Sequence, residues 1–209
     1  MVMSHYYHVF AGGDWQRPFR EHFTALEASG LMGLLDHIGV GIVGSDAAIS
    51  DVRAVLPAGV GVVGLAQTGF EQLTLDMIPK AQGDVLLYAH TKGSFAVSER
   101  QDNWRRTMTW FNVMQHRTML KALRTHDTAG IWWIPRSAHP RPHYQGNFWW
   151  ANMEYLRKCR YPVSALSRWE AELWLGDAQP VPFDAYPGSE GECAPVADWI
   201  TDVSVESSA

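Results

Sequence analysis

The chain has 209 residues, 46% of them apolar, which is enough for one well-packed domain and its core. Its formal charge of −5 is unevenly spread: residues 1–99 carry 5 Lys/Arg against 10 Asp/Glu, residues 100–168 carry 12 against 3, and residues 169–209 carry none against 9. Nucleic-acid-binding chains are usually basic overall, so a basic middle in an acidic protein points to a small anionic ligand, a phosphorylated one being the natural choice.

The opening MVMSHYYHVF lacks a basic segment followed by a long apolar run, so no signal peptide is expected. A first strand is predicted over Tyr7–Ala11. His5 and His8, three residues apart, point to opposite faces of such a strand and would not share a metal. Further strands are expected at Ile38–Val43, Val60–Leu65, Val85–Ala89 and Ile131–Ile134. Helical patterns fill the gaps at Pro18–Ala28, Ala47–Leu56, Phe70–Pro79 and Asn103–Arg124. This alternation predicts an α/β domain with a largely parallel central sheet flanked by helices, whose ligand sits beyond the carboxyl ends of the strands.

Two glycine patterns, Gly39-x-Gly41-x-x-Gly44 and Gly59-x-Gly61-x-x-Gly64, resemble dinucleotide fingerprints. Both lie inside apolar runs and lack the ribose-binding acid, so they read better as strand glycines that let a helix come close. A dinucleotide-dependent oxidoreductase is accordingly disfavoured.

The strand end His90-Thr91-Lys92-Gly93 breaks off an apolar run with four residues that a core does not need. In the long helix, Trp104, Met108, Phe111 and Met114 form a core stripe, and Arg105 or Arg106, one turn in, is placed to reach a phosphate. His139 and His143 fall in a proline-rich loop.

A helix is expected to start near Asn147 in GNFWWANMEYLRKC, with Trp149 or Trp150 forming a wall against a sugar ring and Asn147 bonding its hydroxyls; the alternative is that both rings are buried between layers. SRWEAELWLG is read as a helix ended by Gly176. Ser167 and Glu170 fit a capping box, which leaves Glu172 as the candidate general base, with an ion pair to Arg168 as its alternative.

Cys159 and Cys193 have no metal-ligand spacing and read as free thiols of a cytoplasmic protein. No stretch approaches the roughly 18 apolar residues of a membrane span. The domain is expected over residues 1–178, and residues 179–209, rich in Pro, Gly, Ser and acids, form a C-terminal tail that Trp199 and Ile200 could pin to the body.

Taken together, Tyr88–Gly93 (Tyr-x-His-Thr-Lys-Gly), Gly146–Ala151 (Gly-Asn-Phe-Trp-Trp-Ala) and Ala171–Gly176 (Ala-Glu-x-Trp-x-Gly) resemble a small group of bacterial and phage glycosyltransferases with a GT-A-like fold, over most of residues 5–177. The resemblance implies an enzyme that binds a nucleotide-diphosphate sugar and moves the sugar to a carbohydrate or protein hydroxyl. It places Gly12, Gly13 and Asp14 near the nucleotide, His90, Lys92, Gly93 and Arg105 around the diphosphate, and Asn147, Trp149 and Trp150 on the acceptor side. Such enzymes commonly hold a divalent metal, Mn or Mg, on an Asp-x-Asp motif, and this sequence has none. Lys92 is the residue that could supply the missing positive charge. A carbohydrate-binding protein without turnover is the alternative.

Overall fold

The computed structural model describes residues 1–95, 98–163 and 169–188. Four parallel strands, β1 (Met3–Phe10), β2 (His37–Val43), β3 (Val60–Ala66) and β4 (Val85–His90), form one half of a seven-stranded sheet. The other half holds β8 (Trp149–Asn152), β5 (Thr128–Gly130) and β9 (Pro182–Asp184), in the order β3-β2-β1-β4-β8-β5-β9. β8 alone runs antiparallel to its neighbours. A separate two-stranded ribbon pairs β6 (Trp133–Ile134) with β7 (His143–Tyr144). This is the mixed α/β domain with a mostly parallel sheet that the alternating pattern predicts.

Period-two alternation sends the two faces of β1 into different cores. Tyr7 and Val9 join the side covered by α1 (Gln16–Ala28), α2 (Asp46–Ala54), α4 (Glu99–Thr109) and α5 (His116–Ala122). Tyr6 faces the other layer, with Leu75 of α3 (Gln72–Leu75), Leu156 of α6 (Met153–Leu156) and Ala171 of α7 (Glu170–Leu173). His5 and His8 separate in the same way, His5 meeting His22 of α1 and His8 meeting Thr74 of α3.

From β1 the chain steps outward to β2 and β3, then returns to place β4 on the other side of β1. Reversing direction sends the connecting helix α3 to the opposite face, as a right-handed crossover requires. The strand order thus reverses between β1 and β4, and the carboxyl ends of these two strands form the switch point at which open α/β sheets hold ligands.

The glycines of β2 serve that packing. A side chain at Gly41 would place its Cβ 1.9 Å from Thr74 Oγ1, so only glycine lets α3 lie this close.

Several elements depart from expectation. The WWAN of GNFWWAN is a strand, because its aromatics alternate between layers: Trp150 packs with the first core and Trp149 with the second, both fully buried. Helix begins only at Met153. Of the expected strand at Ile131–Ile134 only Trp133 and Ile134 are strand, as β6: β5 ends at Gly130, and Trp132, whose φ of 56° breaks the ladder, separates the two. The long helix is interrupted by a π-helical turn, Trp110–Met114, where the backbone carbonyl of Asn112 accepts the Trp150 indole N–H. Residues 179–188, placed in the tail by composition, supply β9, and Asp184 accepts the backbone N–H groups of Trp132 and Trp133. Ser167, Arg168, Cys193, Trp199 and Ile200 lie outside the described residues. Among the described residues, no helix is long and apolar enough to cross a membrane.

Candidate functional site

A cavity of about 500 Å³ opens at the switch point. Its floor comes from His8 and Phe10 on β1 and from His90 at the end of β4, with Thr91, Lys92, Gly93 and Ser94 forming one wall. Glu71 enters from the start of α3, and Glu172 from α7. Phe70, Phe95 and Trp169, the three strongly exposed aromatic rings among the described residues, all line it. Three wet rings around a polar floor make a surface to which a flat ligand can stack.

The Lys92 loop is built rather than incidental. Gly93 has φ 84°, which a side chain would strain, and Thr91 reaches back from the loop so that its hydroxyl accepts the Phe10 N–H. The Lys92 ammonium sits 3.5 Å from the centre of the Trp104 ring while the residue lines the cavity.

Arg105 supports this loop from behind. It donates to the Lys92 carbonyl, to Asp102 and twice to Glu21, with only 2% of its surface exposed. Four of its five N–H donors are thus spent inside the protein, on a structural role rather than on the phosphate contact expected of it. Arg106 pairs with the same Glu21, and Arg141 pairs with Glu170 and Asp177. Part of the basic block is therefore answered by the protein's own acids.

The turn Gly12-Gly13-Asp14 packs beneath the same loop. Gly13 has φ 61°, a Cβ there would meet Ser94 O at 2.2 Å, and Asp14 N donates to that oxygen. Asp14 itself binds Arg17 at 2.8 Å.

Two histidines stand side by side at the floor, since His8 and His90 are register partners across β1 and β4. Burial lowers each pKa to about 4, with Lys92 adding to the effect on His90, so both are neutral near pH 7. His90 Nε2 lies 3.0 Å from Gly146 O. A carbonyl only accepts, so Nε2 carries the proton and Nδ1 keeps its lone pair, an assignment made from the hydrogen-bond network. The one N–H of the neutral ring is thus spent on the backbone.

Glu71 is the residue that the sequence reading missed. Its Oε2 accepts the Tyr88 hydroxyl at 3.0 Å and the Asn147 amide at 2.7 Å. Its Oε1 faces His90 Nδ1 at 3.8 Å. The signal was available: Glu71 follows LAQTGF, one of the strand ends at the sheet's carboxyl edge.

Asn147, with φ 58°, is 1% exposed and spends its amide on Glu71 and the Ala171 carbonyl, while its oxygen accepts the Trp149 indole. Asn147, Trp149 and Trp150 therefore form the rear support of the site and present no stacking wall. The exposed ring is Trp169, 67% accessible.

Glu172 also lines a second cavity of about 450 Å³, shared with Trp169 and walled by His139, His143 and Gln145. Among the described residues, no group of three or more His, Cys, Asp or Glu side chains could hold a metal ion. The residues present thus do not make an all-protein metal site. Cys159 is a free, buried thiol that burial pushes up to about 12, well out of nucleophilic range.

Fold and site together define an open α/β domain with a ligand cavity at its switch point. The chain belongs to the family described as Domain of unknown function (DUF8361), whose model matches residues 48–176. No curated protein matches it significantly. Among solved structures, it is similar to HddC from Yersinia pseudotuberculosis, with 8% identity, 90% of this chain and 91% of that chain covered, and a TM-score of 0.51. It is also similar to 4-diphosphocytidyl-2C-methyl-D-erythritol synthase from Anaerococcus prevotii, with 12% identity, 94% of each chain covered and a TM-score of 0.49. A third is the manganese complex of Rv0371c from Mycobacterium tuberculosis, with 12% identity, 90% of each chain covered and a TM-score of 0.49. At such identities the likeness is one of fold.

Proposed function

We propose that this protein is a nucleotide-binding transferase, and more narrowly a glycosyltransferase that moves a sugar from a nucleotide-diphosphate sugar to a carbohydrate or protein hydroxyl. The observation that carries the reading is the switch-point cavity, which combines Lys92, two carboxylates and three exposed aromatic rings. In this reading, an aromatic ring of the rim stacks on the base and Lys92 offsets the charge that grows on the leaving diphosphate. Glu172 lines both cavities, which in this reading take the donor and the acceptor. If the transfer inverts the sugar, the acceptor oxygen bonds to the anomeric carbon, its proton passes to the Glu172 carboxylate, and the carbon–oxygen bond to the diphosphate breaks. If it retains configuration, Glu172 positions a hydroxyl instead.

The resemblance also raises a metal on the diphosphate. Among the described residues no group of three or more His, Cys, Asp or Glu side chains could hold it unaided, and no step here depends on one.

Thermal shift across a panel of nucleotide sugars and nucleotides tests the reading, because a bound ligand raises apparent stability by mass action. A stabilising nucleotide sugar that is turned over with release of nucleoside diphosphate, with and without chelator, is the expected result. Stabilisation by a simple glycoside alone would favour a carbohydrate-binding protein. Pyrophosphate release from a nucleoside triphosphate would replace sugar transfer with nucleotidyl transfer.

A further inference from the structure

The cavity floor has an uneven hydrogen-bond inventory. His90 Nδ1 is a lone pair, because Nε2–H is committed to Gly146 O. Glu71 Oε1 faces it at 3.8 Å, beyond hydrogen-bond range. Two acceptors thus confront each other at the edge of a cavity with no proton to share between them, while Tyr88 and Asn147 hold the carboxylate in place through its other oxygen.

His8 supplies the complementary group. Its Nδ1 lies 2.8 Å from Thr74 Oγ1, and Thr74 is fully buried. The hydroxyl has no other side-chain partner, so the arrangement that leaves fewest groups unmet has Thr74 donating to Nδ1. His8 Nε2 then carries a proton, and among the described residues it has no partner although the residue is only 2% exposed. A buried unmatched N–H beside two unmatched acceptors is costly unless a ligand or solvent completes it.

We infer that this floor, Glu71 Oε1 and His90 Nδ1 as acceptors with His8 Nε2–H as donor, binds the hydroxyl groups of a sugar or similar polyol. The inference rests on the proposed transferase reading for the identity of the molecule that carries those hydroxyls. A hydroxyl both donates and accepts, so two neighbouring ones satisfy the floor. A phosphate at this pH mainly accepts and would face Glu71 unfavourably. The ligand is thereby oriented, with its phosphates toward Lys92 and its polyol toward Glu71. Glu71 becomes the residue that selects the sugar.

Glu71→Gln is the informative substitution. The amide oxygen keeps the Tyr88 and Asn147 bonds, and the amide nitrogen then donates to His90 Nδ1, closing the acceptor pair internally. The variant should therefore melt close to wild type. Two measurements are made on both proteins: saturation-transfer NMR with methyl glycosides of glucose, galactose, mannose and N-acetylglucosamine, and calorimetry comparing UDP, GDP and CDP with their sugar-linked forms. The expected result is that wild type binds at least one glycoside or gains about tenfold or more in affinity from the attached sugar, and that Glu71→Gln loses this gain. If the sugar contributes equally in both proteins, or contributes nothing in wild type, the inference is overturned, even where nucleotides still bind. If glycosides bind and Glu71→Gln abolishes that binding while no nucleotide binds either protein, the floor assignment stands and the transferase reading falls.

Discussion

Around β5, β8 and β9, the buried Tyr144 and the half-buried Asn152 and Asp184 find partners. The Tyr144 hydroxyl donates to the Phe183 carbonyl, the Asn152 amide donates to two carbonyls, and Asp184 accepts three backbone N–H groups. At the ends of β1 and β4, in the same sheet, His8 Nε2 has no partner among the described residues and His90 Nδ1 faces a carboxylate across a gap. Unmatched buried atoms also occur in the scaffold, at Trp132 Nε1, Trp174 Nε1 and Asn112 Oδ1, so what sets the switch point apart is that its open groups belong to residues that line a cavity. The tryptophans divide along the same line, with Trp149 and Trp150 enclosed in the scaffold half and Trp169 exposed at the cavity.

The largest expected effect lies on the scaffold side. Trp150→Ala empties a fully buried site and removes the bond to the Asn112 carbonyl, so it should cost ~3–5 kcal/mol in urea denaturation. A loss below about 1 kcal/mol would mean that the ring is not enclosed as described.

A second effect comes from pH. Burial holds His5, His8 and His90 at about 4 in the folded protein, against an ordinary value of 6.5. The unfolded chain therefore binds more protons between those values, and stability rises with pH across that window. It is fully present above about pH 6.5 and erodes as the pH falls through 4. A urea midpoint that stays flat from pH 7 to pH 4 would contradict the buried neutral histidines.

The smallest stability effect is expected at the cavity. The Glu172 side chain makes no hydrogen bond or ion pair among the described residues, so Glu172→Gln should shift stability by no more than about 0.5 kcal/mol. In an inverting enzyme the same change should abolish transfer while donor binding persists. Normal turnover in the variant would remove Glu172 as the base.

The parallel half of the fold was legible because each strand of β1–β4 is a short apolar run followed by a helical pattern. The site's location followed from the same alternation, and His90, Lys92 and Glu172 all line the cavity. Trp149 and Trp150 misled because adjacent aromatics fit either a helix wall or a doubly buried strand, and only the insertion of β8 between β4 and β5 decides. Arg105 misled because its partner, Glu21, lies 84 residues away in sequence. Glu71 was overlooked since its partners Tyr88 and Asn147 meet it only in the folded chain. Residues 182–184 resisted for a related reason: a three-residue edge strand carries almost no periodicity.

The most direct test of the switch-point cavity as a nucleotide site is calorimetric titration of wild type and Lys92→Ala with the nucleoside diphosphate that stabilises the wild-type protein. Loss of a charge-assisted contact, on the order of 1.5–3 kcal/mol, predicts an affinity lower by about tenfold to a hundredfold, with the melting temperature little changed. Equal affinity in the two proteins would contradict the account.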